Sequence, residues 1–277
     1  STVETFAKNG ANVWACARKT SSEFEAWIQT LNQREVDAFE TKTDEAVACG
    51  YGMKMDEPEL RKSCGMDVSR AEDKRNVEGM TVENDVRVKP VYFDLESEED
   101  IKRGIREIIS EKKPIDILVN NAGVAYGGLM QMTPIHKLKE VFQVNYFAPV
   151  QIMQLVSRVM QRQKSGCIIN IVSVGGIETN PGYLAYGSSK ASLIWATQSI
   201  AKELGKYNIR VNAVAPGLTD TNMGHYKSEE ELNRTIARTS LGRMASPAEI
   251  ADAVLFLSSE QASYITGHIM RRSEEHT

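Results

Sequence analysis

A tyrosine and a lysine four residues apart, Tyr186 and Lys190, have the residue types and the spacing that acid–base chemistry needs. Apolar periodicity predicts a helix over residues 185–205, and side chains four residues apart on a helix project from the same face. A lysine ammonium beside a phenol favours the phenolate and lowers the tyrosine pKa from about 10 towards neutral. The pair could therefore exchange a proton with a carbonyl or carbinol oxygen.

Ser173 is the next candidate, because it directly follows a predicted buried strand over residues 167–172 and precedes Tyr186 by thirteen residues. A serine hydroxyl there could hold the substrate oxygen as charge develops on it. Tyr183 competes with Tyr186, but Gly187 stands where its lysine would have to be, so we interpret Tyr183 as a wall of the substrate pocket. A tyrosine–lysine pair alone is common on surface helices, so its meaning depends on the elements around it.

Predicted strands and helices alternate along the chain. Apolar runs predict strands over residues 11–17, 87–93, 115–119, 167–172 and 210–213. Apolar stripes at helical spacing predict helices over residues 2–8, 21–31, 98–111, 135–163, 185–205 and 247–258. This alternation predicts an α/β protein with a doubly wound parallel sheet and helices on both faces. Ligands bind beyond the carboxyl ends of such strands, which is where the candidate residues lie.

Residues 35–84 interrupt the alternation, because they are strongly charged, rich in methionine and poor in branched apolar residues. We predict an insertion, either a small subdomain or a partly disordered segment, with short helices near residues 58–62 and 70–77. A solvent-exposed insertion without a function of its own is the favoured interpretation, and a partner-binding surface is the alternative. The predicted organisation is a single domain over residues 1–277, with its core in 1–34 and 85–270 and an atypical tail at 271–277.

The ordered motifs resemble the short-chain dehydrogenase/reductase family. In chain order they are Asn120-Asn121-Ala122-Gly123, Asn145, Ser173, Tyr186, Lys190 and Pro216-Gly217. The resemblance covers residues 1–34 and 85–268 and is closest to the 3-oxoacyl-acyl-carrier-protein reductase type, an oxidoreductase of fatty acid biosynthesis. It implies a Rossmann-like fold.

The resemblance also implies a role for each catalytic residue. Tyr186 would donate the proton to the substrate carbonyl, and Lys190 would lower the tyrosine pKa and bind the nicotinamide ribose. Ser173 would orient the carbonyl, and Asn145 would hold a water that links Lys190 to a proton relay.

The implied cofactor is NADP. The implied cofactor-binding positions are Arg18, Asp94, Leu95, Asn121, Ala122, Gly123, Tyr186, Lys190, Pro216, Gly217, Thr219 and Thr221. NADP is preferred over NAD because residues 17–19 are Ala17, Arg18 and Lys19, with no carboxylate to bind a ribose 2′-hydroxyl. Arg18 could instead offer its guanidinium to a 2′-phosphate. The alternative is that these cations are only the charged approach to a helix.

The sequence departs from the family pattern at both ends. The family begins with a strand and a glycine-rich turn, T-G-x-x-x-G-x-G, whose amides hold the pyrophosphate, whereas this sequence starts within the first helix. Gly50-Tyr51-Gly52 is no substitute, because no strand precedes it. A central strand is therefore predicted to be missing, which exposes the edges of its neighbours and weakens cofactor binding. Residues 271–277 form a charged tail in place of the expected Asp/Asn-Gly-Gly turn.

The predicted activity is hydride transfer between nicotinamide and a carbonyl or secondary alcohol, foremost reduction of a 3-oxoacyl thioester borne by an acyl carrier. Sugar, steroid or other ketone substrates are alternatives, as is a non-catalytic binding protein. Residues 219–243 are predicted to form a lid, in which the side chains of interest are Met223, His225, Tyr226 and Arg238. Arg158, Arg162 and Lys164 could meet an acidic carrier, although ordinary solvation explains them better.

Composition excludes other classes of function. The net charge of −4 argues against nucleic-acid binding, and no apolar run approaches the roughly 20 residues of a membrane span. Cys16, Cys49, Cys64 and Cys167 form no CxxC pair, so we predict no metal site and a reduced, cytoplasmic protein. The family resemblance implies a homotetramer, with the helices over residues 135–163 and 185–205 at an interface.

Overall fold

A computed structural model describes residues 2–9, 11–19, 21–40, 88–221, 223, 229–237 and 239–272. Its helices are α1 (Thr2–Lys8), α2 (Ser22–Glu40), α3 (Glu98–Ser110), α4 (Ile135–Phe142), α5 (Ala148–Gln163), α6 (Leu184–Leu204), α7 (Glu229–Ala237) and α8 (Pro247–Ser258). Its strands are β1 (Val13–Ala17), β2 (Val88–Tyr92), β3 (Ile117–Asn120), β4 (Gly166–Ile171), β5 (Ile209–Pro216) and β6 (Ile269–Arg272). The predicted alternation of helices and strands is confirmed.

All strand pairs are parallel, but the strands form two sheets. One sheet has the order β3-β4-β5-β6, and the other pairs β1 with β2. Helices cover both faces: α3, α5 and α6 pack on one side, and α1 and α8 pack on the other. These features confirm the predicted doubly wound α/β fold. Within the described ranges, no ladder joins β1 to β3.

Two predicted helices differ from the structure by more than one residue at an end or in their continuity. The predicted helix over residues 21–31 continues to Glu40, because helix-forming residues extend it after its apolar stripe ends at Leu31. The predicted single helix over residues 135–163 is interrupted by a π-helical turn, Gln143–Phe147, between α4 and α5. The predicted short helices at 58–62 and 70–77 lie outside the described residues.

Two elements lie where none was predicted. Part of the expected lid is the helix α7. The expected charged tail begins inside β6, where Arg271 pairs with Ala215 and Arg272 pairs with Pro216. Strand pairing uses backbone groups and tolerates exposed charged side chains at the edge of a sheet, so these two arginines lie in a strand.

The core lies between the four-stranded sheet and its two helical layers. Ile168, Ile169, Val211 and Val214 on the two central strands are fully buried. No helix in the described part of the chain is long and apolar enough to cross a membrane. The histidines, cysteines and carboxylates of the same residues form no cluster of three that could hold a metal ion.

Candidate active site

A cavity of about 1400 Å³ runs along the carboxyl ends of both sheets. Its lining includes every predicted cofactor and catalytic position except Asn145, namely Arg18, Asp94, Leu95, Asn121, Ala122, Gly123, Ser173, Tyr186, Lys190, Pro216, Gly217, Thr219 and Thr221. The fold therefore brings together residues that are up to 203 positions apart in the sequence.

Lys190 is a buried cation in the wall of this cavity. Its side chain on α6 is only 4% exposed, and its Nζ donates a hydrogen bond of 2.8 Å to the carbonyl oxygen of Ile171. Removal from water disfavours the ammonium and lowers the pKa of Lys190 to about 8. A charge held in such surroundings acts more strongly on its neighbours than a charge in water.

Tyr186 lies one helical turn before Lys190 on α6 and lines the same cavity. Its ring meets that of Tyr183 edge to face, with the ring centroids 6.2 Å apart. Tyr183 also lines the cavity and packs against Gly175, since a Cβ on that glycine would lie 3.0 Å from the tyrosine Cε2. The position of Tyr183 agrees with its interpretation as a pocket wall.

Ser173 lies in the site because the turn after β4 packs closely against α6. It caps a 3-10 turn, Val174–Gly176, and its Oγ accepts a hydrogen bond of 3.1 Å from the Gly175 amide. A Cβ on Gly187 of α6 would lie 2.7 Å from the Gly175 carbonyl oxygen, so only glycine allows this packing. Because accepting uses a lone pair of the hydroxyl, the Ser173 O–H can still donate to a carbonyl oxygen.

Asn145 lies behind the cavity wall instead of facing the cavity. It is fully buried within the π-helical turn, and its Oδ1 accepts a 2.8 Å hydrogen bond from the Val124 amide. Its Nδ2 donates to the Val124 carbonyl oxygen at 2.9 Å and to Ser189 Oγ at 3.0 Å. Ser189 in turn donates to the Tyr186 carbonyl oxygen at 2.7 Å. Asn145 therefore ties the turn after β3 to the Tyr186 helix, while its predicted water-holding role stays a prediction.

Gly123 occupies the narrow space between Asn145 and Lys190. A Cβ at this position would lie 3.2 Å from Asn145 Oδ1 and 3.2 Å from Lys190 Nζ. Any larger residue would have to displace one of these groups. The glycine thus lets the turn after β3 lie against the buried lysine, with its outer side facing the cavity.

The far end of the cavity is charged. Arg18, after β1, forms an ion pair of 2.8 Å with Asp94 and a longer one of 3.4 Å with Glu96. The Asp94 amide donates to Asp100 Oδ2 at 2.7 Å, and the Leu95 carbonyl oxygen accepts from Gln143 Nε2 at 3.0 Å. The predicted phosphate-binding arginine therefore already lies between two carboxylates of its own chain.

The segment after β5 closes the other end of the cavity. The Gly217 amide donates to the Arg272 carbonyl oxygen at 3.1 Å, and Thr219 forms an isolated bridge with Ala245. Of the predicted lid, Met223 also lines the cavity, whereas His225, Tyr226 and Arg238 lie outside the described residues.

Sequence reasoning missed several polar residues of this region, among them Glu178, Asn180 and Ser189. Glu178 and Asn180 line the cavity, and Glu178 forms an ion pair of 2.7 Å with Arg271 of β6. Ser189 supports Asn145 from inside α6. Ser189 could have been found from its position three residues after Tyr186, but Glu178 and Asn180 follow no spacing rule.

The fold is Rossmann-like and places the cavity at the carboxyl ends of parallel strands, and comparison with known proteins assigns the family. Residues 62–272 match the family model described as enoyl-(acyl carrier protein) reductase. The chain is 43% identical over 185 residues to the 3-oxoacyl-[acyl-carrier-protein] reductase FabG of Aquifex aeolicus, covering 67% of this chain and 75% of that protein. It is 36% identical over 186 residues to a 3alpha-hydroxysteroid dehydrogenase of Mediterraneibacter gnavus, covering 67% and 74%.

Among solved structures, levodione reductase superposes with a TM-score of 0.65 at 26% identity, covering 68% of this chain and 76% of that one. The chain belongs to the short-chain dehydrogenase/reductase family, and it is most similar to the 3-oxoacyl-acyl-carrier-protein reductases in that family. The predicted family is therefore confirmed.

Proposed function

We propose that this protein is an NADPH-dependent carbonyl reductase acting on 3-oxoacyl thioesters held by an acyl carrier. The observation that carries the proposal is the buried Lys190, placed one helical turn from Tyr186 on the wall of a cavity large enough for cofactor and substrate. Burying a cation lowers stability, so its presence favours a chemical role for it.

Each side chain has a step that follows from its surroundings. The Tyr186 hydroxyl gives its proton to the substrate carbonyl oxygen as that oxygen gains charge, and the Lys190 charge stabilises the phenolate that results. Ser173 donates a hydrogen bond to the same oxygen. The nicotinamide, when bound, supplies the hydride that reaches the carbonyl carbon. The carbonyl has then become an alcohol, and a proton from solvent restores the Tyr186 hydroxyl.

The lining of the cavity fits a dinucleotide. Gly123 lets the turn after β3 lie against Lys190, and this turn lines the cavity through Asn121 and Ala122. Pro216 and Thr219 line the end near Ser173, and Asp94 lines the end near Arg18. We assign the nicotinamide to the first end and the adenosine to the second.

The choice of NADPH over NADH rests on Arg18. Its guanidinium is more than half exposed, so a 2′-phosphate could reach it. The ion pairs with Asp94 and Glu96 would compete with the phosphate, but exposed pairs of this kind contribute little, on the order of 0–1 kcal/mol. Loss of these ion pairs would therefore cost little, and a charge-assisted contact with the phosphate would replace them.

Substrate class is the finer part of the proposal. The names of the relatives include an acyl-carrier-protein reductase and a hydroxysteroid dehydrogenase, so a steroid ketone is the second candidate. We also propose a homo-oligomer, a tetramer by family resemblance, because Phe147 beside α5 and Trp195 on α6 are large apolar side chains exposed by 54% and 76%. The reaction would take place in the cytoplasm.

The test combines cofactor binding with turnover. NADPH fluorescence is titrated against the protein, and oxidation of NADPH is followed with an acetoacetyl thioester, a 3-ketosteroid and simple ketones. We expect the thioester to give the highest kcat/KM. Ser173→Ala should lower turnover strongly, whereas Ser192→Ala on the exposed side of α6 should not. Binding without reduction of any carbonyl would favour the non-catalytic alternative and contradict the proposal.

A further inference from the structure

Glu178 places a carboxylate in the cavity wall, at the end where the substrate carbonyl is proposed to react. It lies one helical turn after Val174, because its amide donates a hydrogen bond of 2.8 Å to the Val174 carbonyl oxygen. Ser173, Val174 and Glu178 all line the cavity. The proposed proton transfer and the proposed cofactor contacts give this carboxylate no role.

Arg271 of β6 holds the carboxylate from one side. Its Nη1 donates a hydrogen bond of 2.7 Å to Glu178 Oε1, and its backbone is fixed by pairing with Ala215 of β5. Glu178 lines the cavity, whereas Arg271 does not. The ion pair therefore lies on the outer side of the carboxylate and leaves the second oxygen, Oε2, on the cavity side. Within the described ranges, Oε2 receives no hydrogen bond.

The wall around Glu178 leads from the reacting groups to solvent. Val174 and Gly175, next to Ser173, are buried, whereas Glu178 is half-buried and Asn180 is exposed. All of these residues line the cavity. A substrate that reacts beside Ser173 and stays attached to a carrier must pass along such a wall to reach the surface. Glu178 therefore lies between the reacting carbonyl and the point of exit.

The chemistry of Oε2 limits what can lie against it. An ionised carboxylate accepts hydrogen bonds and donates none. A group that covers Oε2 and offers no donor removes water from a charged oxygen without replacing the hydrogen bond, which is unfavourable. A steroid ketone has only carbon around its carbonyl. The thioester arm of an acyl carrier has an amide N–H a few bonds beyond the sulfur.

We propose that Glu178 is a specificity-determining residue, whose Oε2 accepts a hydrogen bond from the amide N–H in the thioester arm of a 3-oxoacyl substrate. This assignment rests on the proposed function and narrows its substrates to carbonyl compounds with an N–H donor beyond the thioester. Arg271 is a positioning residue, because its contact with Oε1 turns Oε2 towards the cavity.

The test compares two ligands of the same shape. The 3-hydroxybutyryl thioester of N-acetylcysteamine contains the amide N–H, and the 3-hydroxybutyryl thioester of 2-acetoxyethanethiol has an ester oxygen in its place. Both are alcohols, which NADPH cannot reduce, so they stay intact. Kd is measured by isothermal titration calorimetry with and without NADPH.

Glu178→Gln is the decisive variant. Arg271 can only donate hydrogen bonds, so it keeps the side-chain oxygen of the variant and turns the amide nitrogen towards the cavity. The acceptor in the wall becomes a donor while the size of the side chain is unchanged. Glu260→Gln makes the same change at an exposed carboxylate in the 3-10 turn after α8, outside the cavity lining, and is the matched control.

The parent protein and Glu260→Gln should bind the amide thioester at least about tenfold more tightly than the ester analogue, which corresponds to about 1.4 kcal/mol. Glu178→Gln should bind the two with nearly equal Kd. Because each ratio compares two ligands on one protein, a smaller folded fraction in a variant does not change it. Equal Kd values in the parent, the same preference in Glu178→Gln, or no binding of either ligand would overturn the assignment.

Turnover separates this assignment from the proposed function. A preference for the amide thioester without any NADPH-dependent reduction of its acetoacetyl form would contradict the proposed function and leave the role of Glu178 in binding intact. Reduction of the acetoacetyl form with no such preference would support the proposed function and overturn the assignment of Glu178.

Discussion

The two sheets differ in how firmly they hold the residues along their carboxyl edges. In the four-stranded sheet, β4 and β5 are buried along nearly their whole length, and Lys190 and Asn145 lie within that packed region. In the two-stranded sheet, β1 and β2 have only Ala15, Val88 and Val91 buried, and β1 lines the open cavity. The acid–base residues belong to the packed part, and Arg18 belongs to the open part.

This difference separates the two requirements of the proposed reaction. Proton transfer needs groups fixed to within a fraction of an ångström, and the hydrogen bonds of Asn145 and Lys190 provide this. Recognition of the adenosine end depends on Arg18, whose contacts are ion pairs at the surface. We therefore expect substitutions in the four-stranded part to have larger effects than those in the two-stranded part.

Removal of the proton donor should have the largest effect. Tyr186→Phe keeps the ring and loses only the hydroxyl, so kcat should fall by about 10²–10⁴ while NADPH affinity falls far less. The measurement is steady-state reduction of the acetoacetyl thioester with parallel NADPH titration. Tyr183→Phe, which changes the neighbouring ring in the same way, is the control and should retain most turnover. Equal losses in both variants would argue against a specific role for Tyr186.

Core truncation compares the two parts of the molecule directly. Ile169 on β4 is fully buried, so Ile169→Ala should lower the free energy of unfolding by about 2–5 kcal/mol. Ile117 on β3 is half-buried and lines the cavity, so Ile117→Ala should lower the free energy of unfolding by less than about half as much. Urea unfolding of both variants provides the measurement. Similar losses would mean that the edge of β3 is as well packed as the centre of the sheet.

The buried charge of Lys190 should lower the free energy of unfolding at neutral pH, relative to a variant with an uncharged side chain at this position. Its folded-state pKa of about 8 lies below the unfolded value of 10.5, so the unfolded chain binds more protons between these pH values, and stability rises across that window. Below pH 8 the buried ammonium costs at most about 3 kcal/mol, partly offset by its bond to Ile171. Lys190→Met should therefore stabilise the fold at pH 7 and abolish this rise.

Unfolding by urea at pH 7 and pH 10 measures both effects. Lys202→Met on the exposed side of α6 is the control, since other lysines also titrate at high pH. A Lys190→Met protein that is less stable than the parent at pH 7 would show that the ammonium contributes more through its contacts than its burial costs.

The strands and helices around Tyr186 were predictable because their apolar patterns are strong. The apolar run from Cys167 to Val172 predicts a buried strand, and the structure has β4 at Gly166–Ile171. The family motifs then identified the residues that meet in the cavity. The predicted bounds of the last helix, 247–258, agree fully with α8, since Ser246 and Glu249 form a capping box at its start.

Other features left little trace in the sequence. The π-helical turn that buries Asn145 has no residue signature, so one continuous helix was predicted. In β6, Arg271 and Arg272 lack the apolar pattern that predicts a strand, because their pairing depends only on backbone groups. The ion pairs of Arg18 with Asp94 and Glu96 join two segments separated by more than seventy residues, which no local pattern reveals.

Substitution of Arg18 should have the smallest of these effects and tests the open part of the molecule. Arg18→Gln removes the guanidinium that we assign to the 2′-phosphate, so Kd for NADPH should rise about tenfold, which corresponds to about 1.4 kcal/mol. Kd for NADH should change less, because that cofactor has no such phosphate. Lys19→Gln removes the adjacent positive charge and is the matched control. If both variants raise the Kd for NADPH equally, general attraction by the charge of residues 18 and 19 explains the preference for NADPH over NADH. If Arg18→Gln leaves the ratio of the two Kd values unchanged, the ion pairs to Asp94 and Glu96 are the only role of this arginine, and the cofactor preference must be set elsewhere along the cavity.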